Sequence, residues 1–199
     1  DAMSNQPAKH FNKATVWGRV DGVPTRKLSN EGKGKPFWRI KVICPSHRGN
    51  VYAYGRIWDE EKGKALVEYL KKNPSGCVKL VGFFNQYDKD GSRLSNFSWY
   101  GWQPHACEDP RAAFVLVGRV EGVQDDTLAL VLEREGSDPE DLEVYALSAG
   151  ALKGFTDGDV VEVKGYLRSK EPEGEFRETN NSPIRPYIEQ INLREGDLK

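Results

Sequence analysis

No apolar run in this chain approaches the ~20 residues that a membrane-spanning helix needs, which excludes a helical membrane protein. Cysteine is scarce. Cys44, Cys77 and Cys107 are odd in number and form no C-x-x-C pair, so a disulfide scaffold is excluded and free thiols in a reducing compartment are expected. With three His, no G-x-S-x-G elbow, no Walker loop and no repeated acidic motif, the chain shows no catalytic constellation and reads as a non-enzyme. Cys44 and His47 with His105 and Cys107 offer four zinc ligands, but an H-x-C spacing is unusual for a structural site. Asp88-Lys89-Asp90-Gly91 opens like a calcium loop without the closing Glu and is better read as a β-turn. Neither metal nor cofactor is expected. The segment Asp1 to Gln6 has no apolar signal core, and a cytoplasmic protein is expected.

What the chain does have is a motif written twice. Val16-Trp17-Gly18-Arg19-Val20-Asp21-Gly22-Val23 returns as Leu116-Val117-Gly118-Arg119-Val120-Glu121-Gly122-Val123. Val51-Tyr52-Ala53-Tyr54 returns as Val144-Tyr145-Ala146-Leu147, and Val78 to Phe84 as Val161 to Leu167. Three matched segments in one order imply a duplicated structural unit. A chain of 199 residues accommodates two such units, each able to bury its own core.

The two copies differ in chemistry. Residues 1–107 hold 18 Lys+Arg against 9 Asp+Glu, while residues 108–199 hold 11 against 21, so a net charge of −1 conceals halves of +9 and −10. Fifteen of the 21 aromatic residues fall in the basic half. Cations and aromatics travelling together point to a polyanion partner for that half.

Period-two alternation predicts strands over Ala14–Val20, Phe37–Cys44, Val51–Gly55, Cys77–Phe84 and Phe97–Trp102. A helix is expected over Asp59–Lys72, with an Asp N-cap, acids in its first turn and cations in its last. Lys27–Pro36 reads as a loop and Asn85–Asn96 as a long hairpin tip turning at Asp90-Gly91. The second copy repeats the plan, with strands near Phe114–Val120, Leu128–Glu133, Leu142–Leu147, Val160–Leu167 and Tyr187–Leu193, and a short helix near Ala149–Phe155. A long polar loop, Ser169–Pro186, replaces the hairpin tip. The order β-β-β-α-β-β is that of the OB-fold, a five-stranded barrel that binds oligonucleotides or oligosaccharides. The expected fold is therefore all-β: two tandem OB barrels at 11–103 and 112–195, each with a helix between strands three and four, joined by a linker at 104–111.

Asn12 to Val20, Val51 to Arg56 with Ala65 to Lys72, and Cys77 to Gly82 together resemble, in order and spacing, bacterial single-stranded DNA-binding proteins. The resemblance covers most of residues 11–102. It implies a single-strand binder in which an aromatic at the position of Tyr54 stacks on a base. The family's acidic C-terminal tail has no counterpart in Glu195-Gly196-Asp197-Leu198-Lys199, so recruitment of partners through such a tail is not expected. Members usually present four OB-folds per particle, and two per chain would reach four in a homodimer.

Single-strand binders join a cationic groove to aromatic faces on which bases stack. With Val16, Val20, Ile40, Val42, Val51 and Ala53 inside, alternation turns Trp17, Arg19, Phe37, Arg39, Lys41, Tyr52 and Tyr54 outward. Trp58, Tyr87 and Trp99 join them as candidates from a strand end, the hairpin tip and the last strand, while Trp38 falls on the core side. Ordinary packing competes with stacking at every aromatic position. The second copy carries Val117 and Leu147 where the first has Trp17 and Tyr54, and Glu133–Glu143 repels phosphate. It reads as a protein-contact module. The expectation is sequence-tolerant binding of single-stranded DNA in replication, recombination or repair, at the nucleoid. Stacking faces accept RNA as well. The alternative is a protein-interaction scaffold for which nucleic-acid contact is secondary.

Overall fold

A computed structural model describes residues 10–106, 108–133, 136–169 and 183–194. Cys107, most of the polar loop after Ser169 and the chain end lie outside these residues. The chain is mostly β, in the order β1 (Phe11–Val20), β2 (Thr25–Leu28), α1 (Ser29–Gly32), β3 (Pro36–Ser46), β4 (Gly49–Ile57), α2 (Glu60–Lys72), β5 (Cys77–Lys89), β6 (Ser92–His105), β7 (Ala112–Gln124), β8 (Thr127–Leu132), β9 (Glu140–Tyr145), a 3₁₀ turn (Ala149–Leu152), β10 (Val160–Ser169) and β11 (Ile184–Leu193). It divides into two compact units. A basic unit holds Lys13–Ala113 with Leu167–Ile184, and an acidic unit holds Asp1–Asn12, Phe114–Tyr166 and Arg185–Lys199. The segment Leu167–Ile184, expected with the second copy, clusters with the first. Two hydrogen bonds show why. The Tyr52 N–H donates to the Ser169 hydroxyl at 2.9 Å, and the buried Ser95 hydroxyl donates to the Ile184 carbonyl at 2.9 Å.

In the basic unit the strand pairings form a circuit. β1 pairs with β5, β5 with β6, β6 runs parallel to β4, β4 pairs with β3, and β3 returns to β1 at Arg19↔Ile43. The acidic unit repeats it as β7–β8–β9, a parallel β9–β11 pair, then β11–β10 and β10–β7. The repeated glycines explain themselves here. A Cβ on Gly18 would collide with the Ile43 carbonyl, and one on Gly118 would lie 2.8 Å from the Val131 carbonyl oxygen. Strands bending across one another leave room for hydrogen only.

α2 starts as expected, with the Asp59 carboxylate accepting from the Lys62 N–H at 3.0 Å. Leu66 enters the core, and Gly63 lets the Trp38 ring lie flat against the helix. The expected loop Lys27–Pro36 is instead shared among the end of β2, α1 and the start of β3. The hairpin tip is paired almost to its end, Lys89 opposite Ser92, and turns at Asp90 and Gly91, both at positive φ. The helix of the second copy shrinks to the four-residue 3₁₀ turn.

The expectation of three free thiols fails at Cys77, which is disulfide-bonded. Spacing along the chain could not show this, because a disulfide depends on which residues the folded strands bring together. Cys44 is free and buried, and burial pushes its thiol up to about 12.

His10 marks the acidic unit's response to pH. Its Nδ1 accepts from the Glu133 N–H at 3.0 Å, and its Nε2 is buried with no partner among the described residues. Burial lowers its pKa below 6.5, more than the nearby Glu133 carboxylate raises it. A depressed folded-state pKa gives stability that is complete above the unfolded value and is lost as pH falls through it. The acidic unit should therefore melt at a lower temperature at pH 5.5 than at pH 7.5, and His10→Gln should shrink the difference. An unchanged difference in the variant would assign it to other groups and not to Glu162, whose carboxyl the Arg194 guanidinium holds below the usual range and which titrates only in more acid solution.

Candidate nucleic-acid interface

Strand alternation places most of the expected face on the outer side of the basic unit. In β4, Val51 and Ala53 are buried at 1% and 0% exposure, so Tyr52, Tyr54 and Arg56 lie on the opposite side. In β3, Ile40, Val42 and Cys44 fill the core, leaving Phe37, Arg39, Lys41 and Ile43 outward. The register sets these side chains against each other, Lys41 opposite Tyr54, Arg39 opposite Arg56 and Ile43 opposite Tyr52. Trp17 and Arg19 leave β1 on the outer side, half-buried and exposed respectively.

The face is less open than alternation implied. Tyr54 is 3% exposed, Phe37 5% and Lys41 6%. Outward along a strand is not the same as open to solvent. Tyr87, from the paired hairpin, is near enough to Tyr54 and Arg56 to feel both electrostatically, its hydroxyl pKa raised by burial first and by Tyr54 second. The Arg56 guanidinium lies 4.6 Å from the Phe37 ring centre and 5.9 Å from that of Trp58, and the two rings are 5.2 Å apart. Trp58, 41% exposed, is the open member of this cluster. A cavity of about 280 Å³ is lined by Arg39 and Lys41 of β3 and by the residues that join β1 to β2.

Trp99 is elsewhere. At 2% exposure it stacks on Phe97, ring centres 4.5 Å apart and planes 5° from parallel, and its indole fills the space above Gly55. It belongs to the core and not to the binding face on which the sequence reading placed it. Trp102 packs against α2, its indole N–H donating to the Lys62 carbonyl at 2.9 Å and its ring 5.5 Å from Tyr69.

The structure also supplies residues that alternation alone did not select. Trp17 is surrounded by His105, ring centres 4.6 Å apart, and by Lys79 and Arg111, each 5.6 Å from its ring centre. Pairing does this: Trp17 lies opposite Lys79, Cys77 lies opposite His105, and the Trp17 N–H donates to the Arg111 carbonyl at 2.8 Å. The segment expected as a linker thus contributes to the outer face through His105 and Arg111. Arg56 could have been found from the alternation of β4, whereas His105, Lys79 and Arg111 come from distant strands and carry no local signal.

In the acidic unit Tyr145, at the position of Tyr52, has the Arg185 guanidinium 4.9 Å from its ring centre and donates its hydroxyl to Glu143 at 3.2 Å. Leu147, the counterpart of Tyr54, is 68% exposed just beyond the end of β9. No helix of the described residues is long and apolar enough to cross a membrane, and no group of three or more metal-ligating side chains occurs among them.

With this geometry the chain superposes on single-stranded DNA-binding protein from Thermus aquaticus. The wild-type crystal structure matches at a TM-score of 0.70, with 15% identity, over 96% of this chain and 97% of that one. A deletion variant of the same protein matches at 0.66, with 16% identity, over 96% and 98%. The fold is that of single-stranded DNA-binding proteins. No protein-family model and no curated protein sequence matches the chain. In this fold the basic unit's outer face of β1, β3 and β4 holds the cations and aromatics, and the acidic unit's equivalent face holds Tyr145, Glu143 and Arg185.

Proposed function

We propose that this protein binds single-stranded DNA with little regard to sequence, and that each unit is an OB barrel. The supporting observation is that cations and aromatic rings share one outer face of the basic unit, in a fold whose solved neighbours are single-stranded DNA-binding proteins. Phosphates meet Arg19, Arg39, Lys41 and Arg56, while bases stack on Trp17, Tyr52 and Trp58. Stacking needs no base-specific hydrogen bond, which is why such binding tolerates any sequence. Tyr54, Phe37 and Tyr87 form a covered second layer that a strand engages once the hairpin yields. Binding, not catalysis, is the activity.

The process served is replication, recombination or repair, in the cytoplasm at the nucleoid. The acidic barrel at 112–195, joined through 104–111 to the barrel at 11–103, is a protein-contact module whose charge keeps it off the phosphates. Two chains assemble into a four-barrel particle. RNA shares the same stacking chemistry and is the natural competitor in any assay.

Titration with poly(dT) tests this reading. Tryptophan emission should be quenched as bases stack on Trp17 and Trp58, and poly(rU) should be run beside it. Trp58→Ala should weaken binding by about 1–3 kcal/mol without lowering the melting temperature, since its ring is already half in solvent. No change in emission or anisotropy with poly(dT) would refute single-strand binding.

A further inference from the structure

The cluster around Trp17 borders a half-open cavity of about 390 Å³, within the basic unit and separate from the Tyr54 layer. That volume falls in the range of small-ligand sites, about 300–1,000 Å³. Its walls combine three kinds of surface. Val20, Ile43, Pro45 and Pro110 are apolar; Trp17 and His105 supply two rings tilted 31° to each other; Arg19 supplies a cation and Asp21 an anion. Lys79 and Arg111 stand against the Trp17 ring, Arg111 sharing its charge with Asp109 at 2.7 Å. Arg19 is exposed and has no ion-pair partner among the described residues.

The hydrogen-bonding groups match as well. His105 Nδ1 lies against the Ala106 carbonyl, which can only accept, so the tautomer that donates there leaves Nε2 as an acceptor. The Trp17 indole N–H is buried with no acceptor among the described residues, an arrangement that costs free energy until something supplies one. A cavity with aromatic walls, one ring acceptor and a free cation at its edge suits a flat heterocycle carrying a phosphate.

We infer that this cavity is a one-nucleotide pocket: it takes a base turned out of the bound strand against Trp17 and His105, with the adjoining phosphate on Arg19. The inference rests on the single-strand reading above and adds to it a fixed point that grips the strand. The base's ring N–H donates to His105 Nε2. Nucleotides on the open face around Trp58 only stack, whereas this one sits in a half-open cavity with several walls, so it should also be retained in isolation.

The full chain is tested with two probes, dTMP by equilibrium dialysis and a labelled dT20 oligonucleotide by anisotropy. Trp17→Val is the main variant, because Val117 occupies the equivalent position of the second copy. The wild type should retain dTMP with a dissociation constant of about 1 mM or tighter, and inorganic phosphate alone should compete at least tenfold more weakly. Trp17→Val should abolish dTMP binding and weaken dT20 about tenfold, while Trp17→Phe, which keeps a stacking ring, should preserve most of both. If dT20 binds normally but dTMP is not retained, or if Trp17→Val binds both probes like the wild type, the pocket is refuted and the single-strand reading stands. If dT20 does not bind the wild type, that reading falls, and retention of dTMP alone decides the pocket. Phosphate competing as well as dTMP would show a bare anion site and overturn the base contact.

Discussion

Replacing Trp99 by Ala should lower the stability of the basic unit by about 3–5 kcal/mol, the usual cost of truncating a fully buried large aromatic. The ring is 2% exposed and stacked on Phe97, and it covers Gly55 where β4 runs parallel to β6. Neither the glycine nor the neighbouring strands can move in to fill the vacated volume, since each is held by its own ladder of hydrogen bonds. Chemical unfolding should therefore shift to markedly lower denaturant, with Trp99→Phe intermediate. Poly(dT) affinity of the folded variant, measured well below its transition, should stay within a factor of two or three of the wild type. Loss of affinity with unchanged stability would return Trp99 to the binding face and contradict its placement in the core.

The second large effect is expected from salt. A single strand held by about four to six phosphate contacts gives a slope of roughly −3 to −4 in log affinity against log salt concentration. Raising sodium chloride from 50 to 200 mM should then weaken poly(dT) binding by about 60- to 300-fold. Arg19→Gln and Arg56→Gln should each reduce the slope by about 0.7. An affinity independent of salt would mean that the excess of nine cations in residues 1–107 lies away from the bound strand.

The two expectations draw on different kinds of legibility. Alternation in Val51-Tyr52-Ala53-Tyr54 was sufficient to assign faces, because Val51 and Ala53 must be buried together and the pleat then turns both tyrosines the other way. The capped helix over Glu60–Lys72 was equally plain, since Asp59 and the charges at both ends act within one turn of the backbone. In β6 the pattern changes part-way. A bulge opposite Val81 and Gly82 leaves Tyr100 out of the pairing and 42% exposed, and beyond it Trp102 turns to the helix where Trp99 had turned to the core. A single inserted residue reverses the side of everything after it, and no local composition announces it.

What the amino-acid sequence determined by itself was therefore local or periodic. It set the duplication, the order of most strands and of the first helix, the side that β1, β3 and β4 bury, the glycines where strands cross, and the division of charge between the halves. Tertiary structure decided what covers an outward side chain and which distant residues stand beside it. Tyr54 is outward yet 3% exposed, with Tyr87, 33 residues on in the β5–β6 hairpin, among the groups that its field reaches. Trp17 meets His105 and Arg111 through strand pairing across about 90 residues, and Cys77 is bonded instead of free. Alternation follows from the geometry of one strand, but burial and company depend on how separate strands close on one another, and that is a property of the folded chain.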